Sequence, residues 1–298
     1  MILLTGATGY VGRHLAAELV RRGVAVRGLV RRRSRATALA ELGVELVEGD
    51  VLRPASLALA ADGCDAVVHL VGLLREGWRT TFDRVVVEGS RNVIAACCDR
   101  RVPRLAYVSA LGVHPDSPSR YFATKGEVER LVRASGLTYQ IWRPSLMLGR
   151  GEMLTDDLIR LLRRSPVMPL LQAPAGGRLQ PLMIDDAVAI MGDLLVSDGA
   201  WNATYEIAGP EPLTLAEITR RIAAALGRRP LAVPIPTGPL RLATRLLAPV
   251  APLLPVTADQ LRMMAVDGTT DDEEYRRFSS VVPLSIEEGV RRMVRAGE

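Results

Sequence analysis

The chain has 298 residues, 48% of them hydrophobic and 24% charged, the balance of an ordinary globular protein with a sizeable core. Its net charge of +5 comes from arginines scattered along the sequence, and with aromatics at only 4% and no basic run interleaved with them, a nucleic-acid surface finds no support. An anionic ligand fits better. The odd set Cys64, Cys97 and Cys98 contains no CxxC, and His14, His69 and His114 are isolated. Free thiols in a reducing, cytoplasmic setting and no metal site are therefore expected. No leader is expected either, because Met1 already begins the first apolar run.

Residues 3–23 (LLTGATGYVGRHLAAELVRRG) read as strand, tight turn and helix, with Gly6, Gly9 and Gly12 at three-residue spacing and Leu15, Ala16, Leu19 and Val20 on one helical face. Glycines at such a turn allow a sharp reversal, let a pyrophosphate approach the backbone, and let helix and strand pack closely. The free amides at the helix start would face the phosphates. Residues 24–30 form a second strand ending in Arg31, Arg32, Arg33 and Ser34, where an acid would bind a ribose 2′-hydroxyl and arginine accommodates a 2′-phosphate. The expected cofactor is NADP(H) in preference to NAD(H). The alternative for this stretch is a solvated basic run at a strand end.

A third strand over 44–48 leads through Gly49, Asp50 and Pro54 into a helix, and a fourth over 65–71 ends at Gly72. A long amphipathic helix is predicted over 80–100, then a fifth strand over 104–109. This alternation implies an α/β fold of Rossmann type, a doubly wound parallel sheet with both faces covered. Right-handed crossovers would then gather Gly6, Arg31, Asp50, Gly72 and Ser109 along one crevice.

Next comes a helix carrying Tyr121 and Lys125, four apart and so on one face. Lys125 is the only lysine in the chain. With 6 tyrosines in 298 positions, a randomly placed lysine would follow one at this spacing about one time in fifty, so a compact charge with a shiftable pKa is specifically required here. After a sixth strand over 137–142 the pattern loosens into helices over 155–164, 185–196 and 215–226, a strand near 205–208, and a final helix over 286–294. The chain divides into a dinucleotide-binding domain, 1–145, and a smaller, partly intertwined substrate or partner region, 146–298. Within the latter, residues 230–256 are apolar and interrupted by proline, which rules out an ordinary membrane span. Arg241 and Arg245 there leave two alternatives, peripheral membrane or protein-complex contact and local core packing.

TGATGYVG, the YFATK pair and WRPSLMLG together resemble the short-chain dehydrogenase/reductase superfamily in its extended and atypical branches. LQPLMIDDAVA and TADQLRMMAVDG look like the branch containing the NAD(P)H-binding accessory subunit of respiratory complex I. The resemblance implies a pyrophosphate loop of Gly6, Thr8, Gly9, Tyr10, Val11 and Gly12, 2′-phosphate contacts from Arg31 and Arg32, and adenine contacts from Asp50 and Val51. It places Leu70, Val71 and Gly72 along the cofactor and Pro144 and Ser145 near the nicotinamide. Tyr121 would be the acid/base, its pKa lowered by the Lys125 ammonium and the nicotinamide. Two positions depart from the pattern. The usual catalytic hydroxyl after the fifth strand is Ala110, and the usual asparagine of the middle helix is Val86. Ser109 or Ser119 would have to substitute. Two functions follow: an NADP(H)-dependent oxidoreductase or epimerase/dehydratase-like enzyme acting on a small molecule not named by the sequence, and a non-catalytic NADPH-binding accessory protein of a respiratory or quinone-linked assembly.

Overall fold

The computed structural model describes residues 1–78, 80–114, 116–172, 177–236 and 257–295. Seven parallel strands form the central sheet: β1 (Ile2–Thr5), β2 (Val26–Val30), β3 (Glu45–Glu48), β4 (Ala66–His69), β5 (Arg104–Val108), β6 (Thr138–Pro144) and, from far along the chain, Ala203–Ile207. That last strand is β11 once the short strands between are counted, and the spatial order is β11-β6-β5-β4-β1-β2-β3. The central strands β1, β4 and β5 are almost wholly buried, as strands covered on both faces must be.

Helices α1 (Tyr10–Arg21), α2 (Thr37–Glu41), α3 (Pro54–Ala61), α4 (Gly89–Asp99) and α5 (Arg120–Arg133) make the crossovers. The helix predicted over 80–100 begins as a π-helical turn, Phe82–Glu88, before continuing as α4. Its apolar periodicity runs through both, so the widened turn leaves no mark on the pattern.

The second half alternates short strands with helices: β7 (Met147–Leu148), α6 (Met153–Arg164), β8 (Val167–Gln172), β9 (Arg178–Leu179), β10 (Leu182–Met183), α7 (Ile184–Val196), β12 (Leu213–Thr214), α8 (Leu215–Ala225) and β13 (Leu231–Pro236). Helices α9 (Ala258–Met263) and α10 (Ile286–Arg295) follow. Part of this half is built into the first: β11 pairs with β6 in register Tyr205 to Trp142, and α7 packs on α1. Arg22 ties those two helices together, donating to Glu18 and Asp193 at 2.6 Å each and to the Ala189 carbonyl at 2.9 Å. A separate apolar cluster around Leu162, Met168, Ile218, Ile222 and Val290 holds α6, α8, β8 and α10 together.

Of residues 230–256, positions 231–236 are strand β13, paired in parallel with β8, and 237–256, with Arg241 and Arg245, lie outside the described residues. Among the described residues no helix is long and apolar enough to cross a membrane.

Candidate active site

Because all seven strands run the same way, the loops after β1, β2, β3, β4 and β5 open on one edge of the sheet. Gly6 turns the chain with φ +77°, and a Cβ there would lie 3.2 Å from the carbonyl carbon of Leu70 and the amide of Val71. The loops after β1 and β4 therefore touch. A Cβ on Gly12 would collide with the Gly6 oxygen, so α1 starts directly against its own turn. No side chain caps α1, whose N-cap is Gly9, and its first turn contains no acid. The amides at this end, with Thr8 exposed beside them, can take an anion. These features fit a bound pyrophosphate.

Arg31 and Arg32 follow β2, exposed and without a carboxylate partner among the described residues. Asp50 lies after β3 with its carboxylate accepting the Leu52 amide, and Val51 is buried with its carbonyl accepting from Asn92. Tyr10 turns its ring toward His14 and its hydroxyl toward Gly149, where it finds no hydrogen-bond partner among the described residues. Pro144 and Ser145 close β6, with the Ser145 hydroxyl accepting from the Gln180 amide.

Tyr121 stands on the first turn of α5 between the rings of Phe82 and Phe122 at 6.4 and 5.2 Å. One turn further, Lys125 is buried. Its ammonium donates to the Val108 carbonyl at 2.6 Å, lies 5.0 Å from the centre of the Tyr107 ring and 5.9 Å from that of Tyr121, and approaches Gly72. The pair and the β4 loop thus meet at one place. Burial draws the Lys125 pKa down to about 8, against the pull of Glu129. The expected acidification of Tyr121 by Lys125 is not what the structure shows: burial pushes the phenol up to about 12.

Ser109 is also corrected. Its hydroxyl donates to Glu129 at 2.6 Å, and Arg143 grips the same carboxylate at 2.7 and 2.9 Å. Burial raises the Glu129 pKa, but those hydrogen bonds outweigh it and hold the group below the usual carboxylate value. A hydroxyl committed to a buried ion pair is not free to share charge on a substrate oxygen. Ser119 is committed likewise, to Asp259 at 3.0 Å. Ala110 and Val86 are both buried.

Several participants escaped the sequence reading. His69 is a core histidine, hydrogen-bonded to Thr5 and Ser90 and drawn down to about 3 by burial and then by Lys125. Tyr107 stacks on it, with a buried hydroxyl that has no hydrogen-bond partner among the described residues. The acidic pair of LQPLMIDDAVA divides its work: Asp185 faces His14 at 3.6 Å, and Asp186 accepts the Leu284 amide.

A parallel sheet with a glycine turn and an uncapped helix at its carboxyl edge defines a dinucleotide-binding protein. A model of the NAD(P)H-binding family matches residues 6–155, and the chain belongs to that family. It is 31% identical over 236 residues to a ceramide reductase of Caulobacter vibrioides, covering 79% of this chain and 74% of that one. It is 26% identical over 255 residues to the mitochondrial NADH-ubiquinone oxidoreductase 40 kDa subunit of Neurospora crassa, covering 84% and 64%. In fold it is similar to an NADPH-dependent quinone oxidoreductase of Escherichia coli solved with NADPH, with a TM-score of 0.76, 22% identity, and 99% and 100% of the two chains covered.

The buried ammonium sets a pH dependence. Lys125 has a folded pKa of about 8 against 10.5 for the free group, so the unfolded chain binds its proton more tightly. The penalty is in full force below about pH 8 and is relieved as the pH rises to 10.5. Lys125→Met should therefore raise the unfolding free energy at pH 7 by up to about 3 kcal/mol. Denaturant melts across this range should show the gain shrinking toward zero, and a gain independent of pH would refute the assignment.

Proposed function

We propose that this chain is an NADPH-dependent reductase of a carbonyl carried on a largely apolar molecule, with Tyr121 as proton donor. The observation that carries the reading is Tyr121 one helical turn from the chain's single lysine, whose ammonium lies against Gly72 at the sheet edge. In this reading Gly6, Thr8, Gly9, Tyr10, Val11 and Gly12 form the pyrophosphate loop, Arg31 and Arg32 take the 2′-phosphate, and Asp50 and Val51 border the adenine. Leu70, Val71 and Gly72 line the cofactor from the end of β4, and Pro144 and Ser145 lie near the nicotinamide.

The bound cofactor supplies hydride to the carbonyl carbon. Tyr121 gives its proton to the carbonyl oxygen, and the Lys125 ammonium stabilises the phenolate that remains. The phenol, pushed up to about 12 by burial, holds the proton that such a reduction would draw on. Leu74 and Trp78, exposed on the loop from Gly72 toward Phe82, supply an apolar rim, and the name of the Caulobacter relative supports an apolar substrate.

A second reading, an NADPH-binding accessory protein without turnover, is favoured by Ala110, which offers no second hydroxyl, and by the Neurospora relative. Peripheral membrane or partner contact through residues 230–256 is part of the same proposal. Leu231 and Val233 are exposed in β13 close to the exposed Arg228 and Arg229.

Charge-assisted phosphate contacts contribute about 1.5 to 3 kcal/mol, so calorimetry should show NADPH binding tenfold or more tighter than NADH, with the preference lost in Arg31→Ala. Equal affinities would end the NADP(H) assignment. Reduction of a long-chain 3-oxoacyl ester, followed by NADPH absorbance, should fall about a hundredfold or more in Tyr121→Phe while NADPH affinity is kept. Undiminished turnover in that variant would exclude Tyr121 as the donor, and tight NADPH binding with no turnover would select the accessory reading. Sedimentation with anionic vesicles tests the surface proposal: protein left wholly in the supernatant at low salt, and monomeric by light scattering, would argue for core packing instead.

A further inference from the structure

Helix α5 carries both Tyr121 and Lys125, yet nothing local caps it. The residue at the cap position, Ser119, makes no side-chain bond to the helix amides. Its hydroxyl instead donates outward to Asp259 Oδ2 at 3.0 Å, and the same oxygen accepts the Tyr121 amide at 3.1 Å. Asp259 Oδ1 accepts the Arg120 amide at 2.8 Å. One carboxylate, 138 residues downstream of Tyr121, satisfies three donors at the start of this helix. It is 16% exposed.

The segment holding Asp259 is itself well fixed. Thr257 and Gln260 form a reciprocal capping box at the start of α9. Further on, Asp267 accepts the Arg178 amide at 2.8 Å, and its carbonyl would lie 3.1 Å from a Cβ on Gly112, in the loop after β5. This strap therefore spans from the first turn of α5 to β9.

We propose that Asp259 is the positioning residue for Tyr121: by capping α5 from the second half of the chain it sets where the phenol stands relative to Lys125 and the sheet edge. The inference rests on the reading of Tyr121 as proton donor. An aspartate at a helix start also meets the positive end of the helix dipole, so the contact is electrostatically sound. The role is exercised through the helix backbone.

A cap can be moved, which separates this role from a general structural one. In Asp259→Ala the first turn of α5 loses its acceptors. Adding Ser119→Asp puts a carboxylate at the local cap position, into the space the missing side chain leaves, where it can accept from the first-turn amides. The strap remains without its own carboxylate in both proteins.

The readout is the ionisation of Tyr121 in protein labelled with 3-fluorotyrosine, whose more acidic phenol titrates in a range the fold tolerates. The ¹⁹F resonance is assigned by its loss in Tyr121→Phe. The Tyr121 midpoint is expected to fall by about one unit in Asp259→Ala as the ring gains solvent, and to return to within a few tenths in the Ser119→Asp/Asp259→Ala double variant. An unchanged midpoint in folded Asp259→Ala overturns the proposal. So does a midpoint that drops and is not restored, since that marks damage to the strap.

Should Asp259→Ala fail to fold, Asp259→Asn replaces it, because an amide keeps the shape while one of its two ends no longer accepts. The same midpoint criteria then apply, with Ser119→Asp as the rescue. The titration needs no cofactor, so its result is independent of the NADPH measurements that decide the proposed function.

Discussion

The ammonium of Lys125 is buried, donating to the Val108 carbonyl, and among the described residues no carboxylate pairs with it directly. The compensation lies one turn along the same helix in Glu129, ionised and gripped by Arg143 and Arg133. An isolated ion in so dry a place would cost several kcal/mol. Glu129 opposes the fall in the lysine's pKa, and Tyr107 offers a ring face at 5.0 Å. Ser109 belongs to this same cluster, which is why a serine beside the expected catalytic position makes no hydroxyl available to a substrate.

The nucleotide half is not self-contained. Its seventh strand, β11, comes from beyond residue 200, and Asp193 of α7 holds Arg22 at the end of α1. Arg143 also reaches Glu206 of β11 at 3.2 Å, so the ion cluster around Glu129 is closed from the second half. The cap on α5 comes from still later. Sheet edge, buried charge and the start of α5 each depend on chain that arrives after the strand-helix alternation has ended.

This dependence explains which features were legible in the sequence. Strands β1 to β6 show in the pattern as short apolar runs bounded by turn residues, buried on both faces in β1, β4 and β5, while helices α1, α5, α7 and α8 show by their 3.6-residue apolar period, and the glycines of the first turn declare themselves by spacing. Strands β7, β9, β10 and β12 have two residues each, too few for any period to register. The π-helical turn at Phe82–Glu88 keeps an apolar face close to that of an α-helix. Tyr121 and Lys125 could be found because their relation is local, four positions on one helix. Asp259 could not, because its partners are far away in sequence, and the capping-box pair Thr257 and Gln260 around it announces only the start of α9. Burial of the Tyr121 phenol was hidden for the same reason, since Phe82 packs on it from another element.

The acid-base character of the site follows from burial acting on unlike groups. Removing water disfavours whichever form is charged, so the same dry environment lowers Lys125 to about 8 and raises Tyr121 to about 12. At neutral pH the lysine keeps its proton and so does the tyrosine. A charged ammonium beside a neutral phenol is a state that can give a proton and then hold the resulting anion, as the proposed reduction requires. In the proposed reduction, with Ala110 where a second hydroxyl commonly stands, the developing charge on the substrate oxygen would meet only the phenol. Its placement therefore matters more here than in a site with two donors, and that placement is governed by the first turn of α5.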